Sequence, residues 1–287
     1  ILRNINPDKW SDIYTYFNTE KTVPYDSNIH VVSSDSHTLT DGPTIFLTEN
    51  IQKIAKFYLK ESGIPERTIQ ELMTDIDYNT KLTTEVNKLE KNYEDLDMKE
   101  NKVSDERKNS GSRVNPEMKA IQKRIEQLIA EIRIIRMDDV YIPNTQSHIN
   151  KWADDKDKSQ LFTCDISEDV IIRIAQLTDI DASWKILLIM GIGVFTEHTS
   201  IAYTEIMKEL ANDQKLFMII ASSDYIYGTN YQFSHGYISK DLSNMTQEKT
   251  VQAMGRIGRN KIQQQYSIRF RDSSIIEKIF IPQENRP

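Results

Sequence analysis

Apolar positions along this chain follow two alternating rhythms, and one long middle stretch follows a third. Thr44-Ile-Phe-Leu-Thr48 is a β-branched and aromatic run of strand length. Glu49 to Glu61 then repeats Ile51, Ile54, Ala55, Tyr58 and Leu59 at helical spacing until Gly63 and Pro65 stop it. A strand followed by a helix is half of a parallel-sheet unit. The same rhythm returns beyond residue 160. Ser167 to Leu177 and Ile201 to Leu210 read as helices, Lys215-Leu-Phe-Met-Ile-Ile-Ala221 as a buried parallel strand, and His235 to Ser239 as a short strand. Trp184 to Val194 is an apolar run ending in glycines. Gln265-Tyr-Ser-Ile-Arg-Phe-Arg271 alternates like a half-buried strand and would put Arg269 and Arg271 on one face. The pattern predicts an α/β fold with a parallel sheet.

Residues 66 to 140 break this rhythm. Leu82, Val86, Leu89, Tyr93 and Leu96 follow 4-3-4-3 spacing, and Met118, Ile121, Ile125, Leu128, Ile132 and Ile135 follow 3-4-3-4-3 spacing. Both are heptad seams, so two coiled-coil helices are expected. The charged stretch from Asp97 to Arg113 separates them, and Asn115-Pro116-Glu117 caps the second. An antiparallel hairpin inserted in the α/β domain satisfies this pattern. Tyr141 to Ser159 reads as polar and irregular. At the other end, Asn6-Pro7-Asp8 opens a short helix with Trp10, Ile13, Tyr14 and Phe17, and Asp41-Gly42-Pro43 closes the connection that follows.

The chain has 287 residues, enough for one large or two modest domains, and its first residue is Ile1, so the expectation is a piece of a longer protein. Its 38% hydrophobic and 28% charged content is that of a soluble protein, and no apolar run approaches the roughly 20 residues that cross a bilayer. A cytoplasmic or nuclear setting with no membrane partner is expected. Cys164 is the single cysteine, which excludes an internal disulfide and a cysteine-rich zinc site and suggests a buried structural thiol. The net charge is −7, yet residues 240–287 hold nine Lys/Arg against five Asp/Glu. The end facing phosphate would be the C-terminal one.

The densest chemistry is there, in Gln252-Ala-Met-Gly255-Arg256-Ile-Gly258-Arg259. On a helix, Gln252, Arg256 and Arg259 would project from one face. Gly255 and Gly258 each cost a helix interior about 1 kcal/mol, which implies close approach of another backbone, a phosphate or a partner. Arginine supplies a planar fork of donors that a phosphoryl group accepts. These residues resemble motif VI of the superfamily 2 helicases. Ser222-Ser-Asp-Tyr-Ile-Tyr-Gly228-Thr-Asn230, directly after a buried strand, resembles motif V, with Ser222 where that family generally has threonine. Residues 44–61 resemble motif IV and its helix. Met190-Gly-Ile-Gly-Val-Phe resembles the Gly-Ile-Gly segment of DExH-type members, although the histidine pair that follows there is missing and His198 takes no role.

The resemblance implies the C-terminal RecA-like domain of a DExH-type helicase, covering 42–65 and 141–287, with 1–41 as a connecting segment and 66–140 as the coiled-coil insertion. It implies Arg259 and Arg256 as catalytic arginines and Gln252, Gly228 and Asn230 as contacts to ATP. Ser222 would contact nucleic acid. No Gly-x-x-x-x-Gly-Lys-Ser/Thr loop and no Asp-Glu box occur in the sequence, so ATP and Mg would be held mainly by an N-terminal RecA-like domain. DNA or RNA is the implied substrate. The Asn/Ile/Lys-rich composition and the long insertion look like helicases of large DNA viruses. The alternative is a non-catalytic helicase-like scaffold that binds a protein partner through its hairpin; a phosphate loop and acid box upstream of Ile1 would favour the motor.

Overall fold

The structure, a computed structural model, describes residues 39–40, 42–105, 115–152, 162–195, 200–226, 231–242, 245–258 and 266–280. Five parallel strands form one sheet: β1 (Thr44–Leu47), β2 (Ile192–Phe195), β3 (Met218–Ala221), β4 (His235–Ile238) and β5 (Ser267–Phe270), in the order β2-β3-β1-β4-β5. The helices are α1 (Ile51–Glu61), α2 (Glu66–Asp105), α3 (Pro116–Ala130), α4 (Gln146–Trp152), α5 (Glu168–Gln176), α6 (Ala182–Ile189), α7 (Ile201–Asn212), α8 (Gln247–Met254) and α9 (Ser273–Phe280). The expected α/β class with a parallel sheet is what the chain forms.

Strand order decides which face each helix covers. The connection from β1 to β2 runs one way across the sheet and every later connection runs the other, so right-handed crossovers put them on opposite faces. Side-chain contacts agree. The Tyr58 ring of α1 packs edge-on against Phe46 of β1, while a Cβ at Gly193 of β2 would touch Met207 of α7 on the other face. The apolar run from Trp184 to Val194 divides between α6 and β2 at Gly191, whose φ of +78° makes the turn. Ile186, Leu187, Leu188, Ile189, Ile192 and Val194, from both elements, are buried in the core.

A lysine side chain is set into that core. Lys185 of α6 is 1% exposed, and its ammonium donates to Thr80 Oγ1 on α2 at 2.9 Å, to the Ala175 carbonyl at 3.3 Å and to the Leu177 carbonyl. Three donors meet three acceptors, two of them carbonyls at the C-terminus of α5, where a cation is favoured.

Helices α2 and α3 pack side by side in opposite directions, as the pairs Tyr78–Glu131 and Glu85–Arg124 show. The heptad residues are the ones turned inward: Leu82, Val86, Met118 and Leu128 are buried, and Leu89, Tyr93, Leu96, Ile121 and Ile125 are half-buried. Two features differ from the pattern. Helix α3 ends at Ala130, short of Ile132 and Ile135, because the fully buried Asn79 side chain bonds both the N–H (2.9 Å) and C=O (2.8 Å) of Arg133 and holds that backbone extended along α2. Leu72 and Ile76, early in α2, belong to the core of the α/β unit rather than to the helix pair. The stretch after Tyr141 also has more order than its polarity suggests: α4 lies there, with Ile149 and His148 buried.

Candidate functional site

Two polar places lie at opposite edges of the sheet. At the edge where the strands end, Thr48 follows β1, Ser222 follows β3 and Asp241 lies just past β4. The Thr48 hydroxyl and the Asn50 amide donate to Asp241 Oδ2 at 2.8 and 3.1 Å. Burial alone would raise the Asp241 carboxyl, but the hydroxyls of Thr48 and Ser239 and the amides of Asn50 and Glu49 outweigh it and hold the group below the usual carboxylate range. Asp241 thus takes an amide at the start of α1 that would otherwise be open to an external anion. Half-buried Ser222 leads into the 3-10 turn Ser223–Ile226. There the Asp224 carboxylate pairs with Lys249 at 3.4 Å, tying the loop after β3 to the first turns of α8.

The second place is the turn that follows α8. That helix is capped by the Thr246 hydroxyl and ends at Met254, so the expected helical face through Gln252, Arg256 and Arg259 does not form. Gln252 is exposed on the last turn, and Arg256 stands beyond it, half-buried. The two glycines are the reason. Gly255 caps the helix. Gly258 turns to φ +78° and donates its N–H to the Phe233 carbonyl at 2.9 Å, while the Phe233 N–H donates to the Arg256 carbonyl at 3.3 Å. The close neighbour expected at both glycines exists at one. A Cβ at Gly258 would lie 3.1 Å from the Tyr266 ring, whereas at Gly255 it would meet only its own helix's carbonyls at 3.4 Å.

Phe233 precedes β4, so this turn sits at the edge where the strands begin. One four-residue strand, about 13 Å, separates it from the Ser222 edge. The structure therefore brings Gln252 and Arg256 near each other and keeps Ser222 apart from them. Arg259, Gly228, Asn230 and His198 lie outside the described residues.

Sequence reasoning passed over the contact that docks this turn. Ile257 pairs with Phe233 in a parallel bridge, and a Cβ at Gly236 would overlap Ile257 Cδ1. Glycine inside a strand is the signal that marks such a close approach. Among the described residues no group of His, Cys, Asp and Glu could hold a metal ion, and no helix is long and apolar enough to cross a membrane. Cys164 is buried, and burial pushes its thiol well above the ordinary range, as a structural thiol requires. No protein-family model and no curated protein matches this chain.

Proposed function

We propose that the chain is the C-terminal motor half of an ATP-dependent, DExH-type nucleic-acid helicase or translocase. Its RecA-like part would be 42–65 with 141–287, its connecting segment 1–41, and its insertion a coiled-coil hairpin within 66–140. The observation that carries the reading is the segment Gln252-x-x-Gly255-Arg256-x-Gly258-Arg259, placed between two strands of an all-parallel sheet and turned by glycine at 258. An N-terminal RecA-like domain would seat ATP and Mg, and Gln252, Arg256 and Arg259 would approach the phosphates from this side. Bound magnesium would neutralise phosphate charge, and the arginines would take up charge developing on the transferred group. Gly228 and Asn230 would belong to the nucleotide contact. Ser222, at the far edge, would contact DNA or RNA. The composition favours a large DNA virus as source.

In the protein carrying both domains, Arg259→Ala is expected to lower kcat for ATP hydrolysis by about 10³ to 10⁵ with little change in ATP binding, and Arg259→Lys to recover little. Retention of more than about a tenth of wild-type kcat would remove the residue-level support. The 287-residue chain alone should turn over no ATP; robust magnesium-dependent hydrolysis by it would break the split-site reading.

The paired seam of α2 and α3 favours a second reading, a helicase-like scaffold whose hairpin binds a protein. Loss of that partner with unchanged ATP hydrolysis, on deleting the part of the hairpin beyond Lys81, would support it.

A further inference from the structure

One face of the sheet changes character from end to end. The row of residues in register across it is Val194, Ile220, Phe46, Tyr237 and Arg269. The first two are fully buried and Phe46 is 7% exposed; Tyr237 is half-buried and Arg269 exposed. This face is roofed by α1 and α6 over β2, β3 and β1, and among the described residues no helix of that layer continues over β4 and β5.

The open part is built. Phe46 and Tyr237 are stacked, with centroids 5.6 Å apart and planes 10° from parallel. Arg269 continues the row: its guanidinium carbon lies 5.4 Å from the Tyr237 ring centre, and Nη1 donates to the Tyr237 hydroxyl at 2.8 Å. That bond orients the guanidinium plane in advance. Arg271, two residues on and exposed, shares the face. Two acids close by in sequence have other bonds: Asp241 accepts from Thr48 and Asn50, and Asp272 accepts from the Ser274 amide at 2.9 Å.

We propose that this open half-face binds single-stranded nucleic acid, with a base stacking on the outer plane of Arg269 and Arg271 holding a backbone phosphate. Charge complementarity selects the occupant. In a chain of net charge −7, this face presents two exposed arginines beside the half-buried Tyr237 ring, the pairing of cation and aromatic that single strands use. The inference rests on the sheet and not on the completeness of an ATP site.

The test is fluorescence anisotropy of the 287-residue chain with labelled 20-nucleotide oligo-dT and oligo-U across a salt series. Arg269→Ala/Arg271→Ala should weaken binding about tenfold or more and reduce the log–log salt slope by about 0.7, the one single-strand phosphate contact made by Arg271. Arg269→Lys, which leaves Arg271 in place, should keep the wild-type slope and lose affinity, because an ammonium has no plane to stack. Both arginines are exposed, so an unchanged melting temperature verifies folding. Failure of the wild-type chain to bind either oligonucleotide, or equal binding by the double variant, overturns the proposal. Equal competition by a polyglutamate peptide overturns it in favour of an acidic protein. ATP hydrolysis is not read, so failure here leaves the motor proposal standing, and the converse.

Discussion

In the half of the sheet formed by β2, β3 and β1, helices close both faces and the strands are almost wholly apolar. In the half formed by β4 and β5, one face carries the turn at Ile257 and the other carries Tyr237 and Arg269. The two halves share one hydrogen-bonded ladder, so backbone pairing does not distinguish them. Side-chain burial does, and it divides the labour: the closed half supplies cohesion, and the half-open one can afford arginines and an aromatic row.

The sharpest way to break this contrast is to remove equivalent volume on each side. Ile220→Ala, at a fully buried site in β3, should cost about 3 to 5 kcal/mol in urea unfolding, within the range for emptied core sites. Ile268→Ala, at a half-buried site in β5, should cost about half that or less. Equal losses would mean that the halves are one core.

Lys185 tests the closed side from within its roof. Lys185→Met strands three acceptors and should cost about 2 to 3 kcal/mol at neutral pH. The pH dependence separates charge from packing. Desolvation pushes the ammonium's pKa down from 10.5 to about 8, against the pull of Asp77, Asp179 and Asp181. At this site the unfolded chain then holds more protons than the folded one between those values, so the Lys185 contribution to stability rises with pH above 8, by up to about 2 to 3 kcal/mol at pH 10. The Cys164 thiol, pushed well up by burial, and Tyr58, pushed up to about 12, act with the opposite sign over the upper part of this range, in the wild type and in Lys185→Met alike. Chemical denaturation from pH 7 to 10 should therefore show the wild type gaining on Lys185→Met as pH rises, and a constant difference between the two would assign the whole effect to packing.

On the half-open side, Gly236→Ala forces a methyl into Ile257 and should cost about 1 to 2 kcal/mol. Adding Ile257→Val should recover much of it; no recovery would show that the strand itself rejects alanine. The smallest effect belongs to the surface. A double-mutant cycle on Arg124 and Glu85, both about half exposed, should give a coupling below about 1 kcal/mol.

Much of this was legible because burial has a period. The strands at Thr44 and Met218, the helices at Ile51 and Ile201, and the seam from Leu82 to Leu128 follow from alternation or heptads. What stayed hidden depends on partners distant in sequence. Nothing local says that α3 stops where Asn79 grips Arg133, since 54 residues separate them. The helical face drawn through Gln252, Arg256 and Arg259 failed because spacing assumes a continuing helix, while Gly255 and Gly258 end it. For Lys185 a clue existed: one cation inside Trp184-Lys-Ile-Leu-Leu-Ile-Met must find buried acceptors. The strand order, which exposes Arg269, is a property of the whole sheet.

Helix α2 has 40 residues, about 60 Å of continuous rod. Its first turns are embedded in the core through Leu72 and Ile76, and Lys185 grips it at Thr80. Beyond that grip the rod reaches about 37 Å farther. A tilt of about 5° at Thr80 would swing the distant end by about 3 Å, comparable to the 2.9 Å bond from Lys185 to Thr80. The clamp and the neighbouring grip of Asn79 on Arg133 thus form a fulcrum, and a few buried polar bonds steady an arm many times their own size.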